Sequence, residues 1–136
     1  MPVADRLTDG FMSHTDYFKL NPLVVNSAVI LRIGDIGPWH RTFALIVGQI
    51  SNRYVAFLWF VSYSGTTILE YNNIQCLAGK ETIEECVKLY TKDGYIYLDV
   101  DYTDKNSAFA VLSNFKTEQV WQQVDDTYTP LNPTIS

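Results

Sequence analysis

The 136-residue sequence has little charge and little cysteine. Charged residues make up 18% of it, where an ordinary soluble domain carries about 25%. Ten basic and fifteen acidic residues give a net charge of −5. Lys and Arg form no cluster, which argues against nucleic acid and anionic membranes as partners. Two cysteines, Cys76 and Cys86, are too few for a disulfide scaffold or a four-ligand zinc site. Two buried thiols are the simpler interpretation, and a bridge between facing strands is the alternative.

Signal and catalytic motifs are also missing. The first ten residues have neither the basic nor the apolar region of a signal peptide. The most apolar window, Phe43 to Tyr63, has Arg53 near its middle, so membrane insertion is not predicted. No nucleophile elbow, phosphate loop, dinucleotide fingerprint or zinc-protease motif occurs. The sequence therefore predicts a non-enzymatic protein without a cofactor. Carboxylate pairs such as Glu84-Glu85 leave a glycan-processing enzyme as a less favoured alternative.

Strand-forming residues are what the sequence has in abundance, since 47% of it is hydrophobic and 14% aromatic. Short β-branched and aromatic runs between turn residues predict an all-β fold, an antiparallel β-sandwich of jelly-roll type with about nine strands. Lys92-Asp93-Gly94 is the clearest hairpin turn, and Lys80 to Glu85 is the best candidate for a short helix. The sandwich is predicted over residues 15–128, with connectors at 1–14 and 129–136. The predicted strands are Tyr17 to Leu20, Ala28 to Ile33, Thr42 to Ile50, Tyr54 to Tyr63, Ile68 to Gln75, Cys86 to Thr91, Tyr95 to Tyr102, Ala108 to Phe115 and Gln119 to Val124.

The most apolar strands point to an assembly of several subunits. Successive side chains of a strand face opposite sides of the sheet. In Tyr54 to Tyr63, one face carries Leu58 and Phe60, and the other carries Phe57 and Trp59. A strand that is apolar on both faces needs cover beyond its partner sheet. A subunit interface would supply that cover and would explain the low charge, whereas loops or terminal segments of the same chain are the alternative.

One strand combines aromatic rings with carboxylates in a way that suits sugar binding. Along Tyr95 to Tyr102, the face that we expect to be exposed to solvent carries Tyr95, Tyr97, Asp99 and Asp101. The apolar C–H faces of a sugar stack on rings, while its hydroxyls donate to carboxylates. Ordinary cross-strand packing on a solvated face is the alternative. A calcium site on these aspartates is disfavoured, because the glycine and distal glutamate of an EF-hand loop are missing, so no metal is predicted.

Two further segments supply candidate ligand-binding residues. Trp39 and His40 follow Gly37-Pro38 in a loop that we expect to be exposed. Trp121, which two glutamines follow, is either a binding platform or a packing residue near the end of the domain.

Three segments resemble the C-terminal domains of phage tail fibres and related receptor-binding proteins. Thr15 to Leu20 is similar to the opening strand of that family, Ala28 to Ile33 to the strand that follows it, and Cys86 to Val100 to its later hairpin. The resemblance covers most of Thr15 to Val124. It implies a β-sandwich that trimerises at the tip of a fibre and adheres to host-surface glycans or proteins, and it brings no catalytic motif.

These observations predict a non-enzymatic receptor-binding domain of a phage tail, which recognises a host-surface carbohydrate through an oligomeric β-sandwich. The expected partners are two further copies in a homotrimer, a host-surface glycan or protein, and other tail components. The expected location is the tail of the virion, or otherwise the extracellular space or a cell surface. A structural protein of virion or tail assembly is the alternative.

Overall fold

The computed structural model describes residues 21–25, 30–36, 41–65, 68–100 and 107–136. Within these ranges the chain forms two mostly antiparallel sheets, which confirms the predicted all-β sandwich. A short helix, α1 (Lys80–Cys86), lies where the sequence predicts it. The predicted strand at Tyr17 to Leu20 and the candidate residues Trp39, His40 and Asp101 lie outside the described residues. The strands are β1 (Asn21–Val25), β2 (Ile30–Asp35), β3 (Arg41–Ile50), β4 (Arg53–Ser64), β5 (Ile68–Ala78), β6 (Val87–Lys92), β7 (Tyr95–Val100), β8 (Ala108–Ser113), β9 (Glu118–Val120), β10 (Thr129–Pro130) and β11 (Thr134–Ile135).

Tight turns set the register in both sheets. The six-stranded sheet has the order β1-β8-β3-β4-β5-β11, and the five-stranded sheet has the order β10-β6-β7-β2-β9. Between β6 and β7, Asp93 and Gly94 have φ angles of 52° and 84°, and between β3 and β4, Ser51 and Asn52 have φ angles of 50° and 66°. Positive φ at both central residues gives a turn whose twist matches the flanking strands. The hairpin predicted at Lys92-Asp93-Gly94 is therefore confirmed.

The core lies between the two sheets, and β4 contributes its largest side chains. Phe57 and Trp59 are each 1% exposed, and every second residue of β4 from Val55 onward is buried. Across the sheet, Trp59 lies between Ala44 of β3 and Ile74 of β5. One face of β4 therefore packs in the core, as the alternation predicts, and the other face points away from the second sheet.

The C-terminal residues are not the surface connector that the sequence predicts. β10 pairs with β6 in the five-stranded sheet, and β11 pairs in parallel with β5 in the six-stranded sheet. The amide of Leu131 donates to the carbonyl of Leu89 at 2.8 Å, and that of Ser136 donates to Ile74 at 2.9 Å. The last eight residues thus link the two sheets. Strands of two residues have no alternation pattern, which is why the sequence does not reveal them.

β1 also differs from the prediction, because Asn21 and Pro22 favour a turn. In the structure both residues belong to β1, which pairs with β8 from Asn21 opposite Ser113 to Val25 opposite Phe109. β1 is the outermost strand of the described sheet. A proline, which has no N–H to donate, is tolerated in an edge strand, since one side of that strand needs no partner.

Candidate functional site

The outer face of the six-stranded sheet, which points away from the core, is apolar. Phe43 is 43% exposed, Val47 46% and Phe60 38%. The pairing register brings Phe43 opposite Phe60 and Leu45 opposite Leu58, so that the side chains form continuous rows across the strands. None of the described residues covers this surface completely. We call it the apolar face, and it consists of Phe43, Leu45, Val47, Ala56, Leu58, Phe60, Ala110 and Leu112.

A groove of about 600 Å³ opens at one end of the apolar face. Three aromatic side chains form its walls, and one of them, Tyr71, is 50% exposed. Arg41 and Glu70 bring one positive and one negative charge to the same groove. It therefore combines flat apolar rings with polar groups, and it has room for a flat ring of a ligand or of another protein. Its lining includes Arg41, Phe43, Phe60, Ser62, Glu70 and Tyr71.

Tyr54 stands at the opposite end of the apolar face. It is the second residue of β4, on the same side as Leu58 and Phe60, and it is 82% exposed. Its backbone carbonyl lies close to Gly79, the N-cap of α1, which has a φ of 73°. A Cβ atom at Gly79 would lie 2.4 Å from the carbonyl oxygen of Tyr54. Only glycine permits both this conformation and this close approach, so a side chain at position 79 would displace the carbonyl of Tyr54.

The other predicted ligand-binding residues lie on or beside the five-stranded sheet, but not all of their side chains are accessible to a ligand. Tyr95, Tyr97 and Asp99 alternate with buried inward-facing residues of β7, as predicted. Tyr97, however, is only 9% exposed, because the ring of Tyr128 packs edge-on against it with the centroids 5.3 Å apart. Burial raises the pKa of the Tyr97 phenol. The prediction that this face of β7 is exposed to solvent is therefore wrong at Tyr97, whose ring has little accessible surface left for a ligand.

Tyr95 is more accessible, at 36% exposure, but it already has a partner. The guanidinium of Arg32 lies 4.5 Å from the centre of the Tyr95 ring and forms a salt bridge with Glu118. A cation over an aromatic face is a favourable contact, so a ligand at Tyr95 meets the Arg32–Glu118 pair as well as the ring. Asp99, on the same strand, is half-buried.

Trp121 is the most exposed tryptophan of the described residues, at 67%. It follows β9 directly, and Gln122 and Gln123 beside it are also exposed. This exposure argues against the second interpretation left open by the sequence, a packing residue near the end of the domain. An indole ring next to two amide side chains provides a flat apolar surface together with hydrogen-bond donors and acceptors.

Residues 121–128 form a strap that crosses the outer side of the five-stranded sheet, from β9 at one edge to β10 at the other. Val124 and Tyr128 anchor it by packing against a small apolar cluster that includes Ile30. A turn fixes its middle, since the amide and hydroxyl of Thr127 both donate to Asp125, at 2.9 and 2.5 Å. These two bonds lower the pKa of the Asp125 carboxyl. The exposed Trp121 is therefore the first residue of a segment that is fixed against the sheet.

The two cysteines belong to neither surface. No disulfide joins Cys76 and Cys86, and both side chains are half-buried, in agreement with the simpler interpretation of the sequence. Burial raises the pKa of the Cys76 thiol. A raised pKa keeps a thiol protonated and unreactive at neutral pH.

The sequence did not single out the groove, although its strands were predicted. Arg41 is far in the chain from Glu70 and Tyr71, and only the β3-β4-β5 pairing brings it to the same end of the sheet. The aromatic residues Phe43 and Phe60, which alternate with the core-facing residues of β3 and β4, could have indicated this surface. Conversely, the structure does not join Tyr95 and Trp121 into one cluster, because Tyr95 lies on β7 and Trp121 follows β9, and β2 separates these two strands.

Neither a metal-binding cluster nor a membrane-spanning helix is found among the described residues. In the described ranges, no three His, Cys, Asp or Glu side chains are grouped so that they could hold a metal ion. The helix found in the same ranges is too short to cross a membrane.

Comparisons of the chain with protein-family models, with curated proteins and with solved structures give no match.

Proposed function

We propose that this protein is a non-enzymatic binding domain that recognises a carbohydrate on a host cell surface, as part of a phage tail. The place in a phage tail is supported by the sequence resemblance alone. The binding of a carbohydrate is supported by one structural observation, the 67% exposure of Trp121 on an anchored strap. Exposing an indole to water is unfavourable, and a ligand that covers the ring removes that cost.

The chemistry of the Trp121 surface fits a sugar better than a charged ligand. The indole offers a flat apolar face to the C–H groups of a pyranose ring, and its N–H is a donor. Gln122 and Gln123 each carry an amide that both donates and accepts, which matches the paired donor and acceptor character of sugar hydroxyls. Tyr95, with the Arg32–Glu118 pair beside it, is a second and separate contact point on the same sheet.

A structural role in tail assembly is the second candidate, and the apolar face supports it. Interfaces between proteins have a core that is depleted of charge and enriched in aromatic residues, as this face is. The two candidates differ in what they require of Trp121. A purely structural protein binds no sugar, and replacement of Trp121 leaves its assembly partners unchanged.

The test is binding of the full chain to an array of bacterial surface polysaccharides, followed by calorimetric titration with the polysaccharide that binds and by tryptophan fluorescence of the unchanged chain. We expect binding to perturb the tryptophan emission, because an exposed indole responds to a ring stacked on it. Trp121→Ala should lower the affinity at least about tenfold, which corresponds to about 1.4 kcal/mol. Ile68→Ala is the matched control, since Ile68 is an apolar residue of similar exposure, 62%, on the other sheet and outside the groove.

Two results would contradict the proposal. One is an array on which no polysaccharide binds while the protein co-purifies with another tail component, which favours the structural role. The other is a polysaccharide whose affinity is the same for Trp121→Ala as for the unchanged chain, which removes Trp121 from the binding site.

A further inference from the structure

We propose that two copies of this chain associate through their apolar faces, with Tyr54 of each copy inserted in the groove of the other. The contact is between the six-stranded sheets, whereas the carbohydrate surface proposed above belongs to the five-stranded sheet. Either proposal can therefore fail without the other.

The apolar face has the composition and the size of an interface between two folded chains. None of its eight residues is charged, in a chain with 25 charged residues in total. The apolar face and the groove together span four strands, β8, β3, β4 and β5. At about 4.8 Å per strand and about nine residues of 3.4 Å each, this contact area measures roughly 30 Å by 19 Å, so that two copies bury roughly 1,100 Å² together. That area reaches the roughly 1,000 Å² that a specific interface requires.

The two ends of the face are complementary in shape, which makes a second copy the occupant. Tyr54 projects at one end with 82% of its surface exposed, and the groove of about 600 Å³ opens at the other. Along β4, the outward side chains are Tyr54, Ala56, Leu58, Phe60 and Ser62. A two-fold axis across the strands at Leu58 places Tyr54 of one copy opposite Ser62 of the other, which lines the groove.

The charges of the groove favour the same antiparallel arrangement. Arg41 and Glu70 both lie at the groove end of the face. On the outward side, the opposite end is formed by the uncharged residues Tyr54 and Gln49, which pair with each other across β3 and β4. The two-fold axis therefore places the Arg41 end of one copy against the Tyr54 end of the other, so that the charged groups Arg41 and Glu70 of the two copies do not face each other.

A single self-complementary surface closes as a dimer. In a two-fold contact the same patch is used by both subunits, whereas a ring of three requires two different patches on each subunit. The described residues present one continuous apolar face. The inference therefore differs from the homotrimer that the sequence resemblance implies, and the two states have different masses.

The first test is the mass of the full chain in solution, measured by light scattering over a dilution series. We expect twice the chain mass of 15.5 kDa, and we expect Tyr54→Ala to raise the dissociation constant of the dimer at least about tenfold. Trp121→Ala is the matched control and should leave the dimer intact. Circular dichroism verifies that both variants are folded, which is expected because both side chains are exposed.

The second test fixes the register of the contact. Tyr54→Cys and Ser62→Cys are combined in a chain in which Cys76 and Cys86 are replaced by Ala, and the protein is oxidised with oxidised glutathione. Eight residues of strand, about 27 Å, separate the new cysteines within one chain, so only a bond between copies can form. We expect a covalent dimer on a non-reducing gel from the pair of substitutions and none from Tyr54→Cys alone. A monomeric or trimeric mass, a dimer insensitive to Tyr54→Ala, or the absence of the covalent dimer would overturn the proposal.

Discussion

Replacing Trp59 by Phe tests whether a single buried hydrogen bond contributes to the stability of the sandwich. Trp59 lies at the centre of β4, is 1% exposed, and donates from its indole nitrogen to Oδ1 of Asn72 at 3.0 Å. Asn72 is itself only 7% exposed. Its Nδ2 atom has no hydrogen-bond partner among the described residues, so the bond to Trp59 is the contact that compensates for burying the amide.

The expected loss follows from two contributions. Phe cannot donate, which leaves Oδ1 of Asn72 buried and unpaired at a cost of about 1–3 kcal/mol. Phe is also smaller by roughly 40 Å³, and at about 24 cal/mol per Å³ of cavity this adds about 1 kcal/mol. We therefore expect Trp59→Phe to lower the free energy of unfolding by about 2–4 kcal/mol. Combining it with Asn72→Leu should recover part of that loss, because an apolar pair leaves no polar group unpaired.

The measurement is urea unfolding followed by circular dichroism, at one protein concentration for all variants because association adds to apparent stability. Trp121→Phe is the matched control, since it makes the same chemical change at a residue that is 67% exposed, and surface changes are usually within about 0.5 kcal/mol. If Trp59→Phe is no more destabilising than Trp121→Phe, or if Asn72→Leu adds to its cost, the hydrogen bond does not have the role that the structure gives it.

Two smaller predictions concern a glycine and a carboxyl group. Gly79→Ala should lower the melting temperature more than Gly65→Ala, because both have a positive φ but only at Gly79 would a Cβ meet another atom, the carbonyl oxygen of Tyr54; equal shifts in thermal unfolding would refute this. The pKa of Asp125 is lowered from its ordinary value of 3.8 by the hydrogen bonds from Thr127. Its contribution to stability is therefore present above that pH and disappears as the pH falls through the lower folded pKa. An NMR titration should show the Asp125 pKa rising toward 3.8 in Thr127→Val, and an unchanged pKa would contradict this cause.

Local patterns predicted the strands and turns whose determinants are short stretches of sequence. The two central residues Asp93 and Gly94 adopt the positive φ that the sequence pattern indicates, and α1 begins at Lys80 as expected. The alternation along β4 correctly separated two apolar faces, of which one is buried in the core. These features depend on residues close together in the chain, and a sequence contains that information directly.

The exposure of individual aromatic residues was decided by contacts between distant segments. Tyr97 is covered by Tyr128, which follows it by 31 positions, and the sequence does not show that residues 121–128 cross the sheet. Trp121 belongs to the same strap but stays exposed. Local alternation indicates on which side of a strand a ring lies, but the path of the chain determines whether another segment lies over it.

Local sequence patterns are sufficient to predict an all-β sandwich that is poor in charge and whose most apolar strand, β4, is apolar on both faces. They do not show that the outward face of β4 joins β3 and β8 in one apolar surface, with a groove at one end and Tyr54 at the other. Side-chain alternation is a local property of the backbone, whereas the neighbours of a strand and the register of their pairing depend on closing loops between distant parts of the chain.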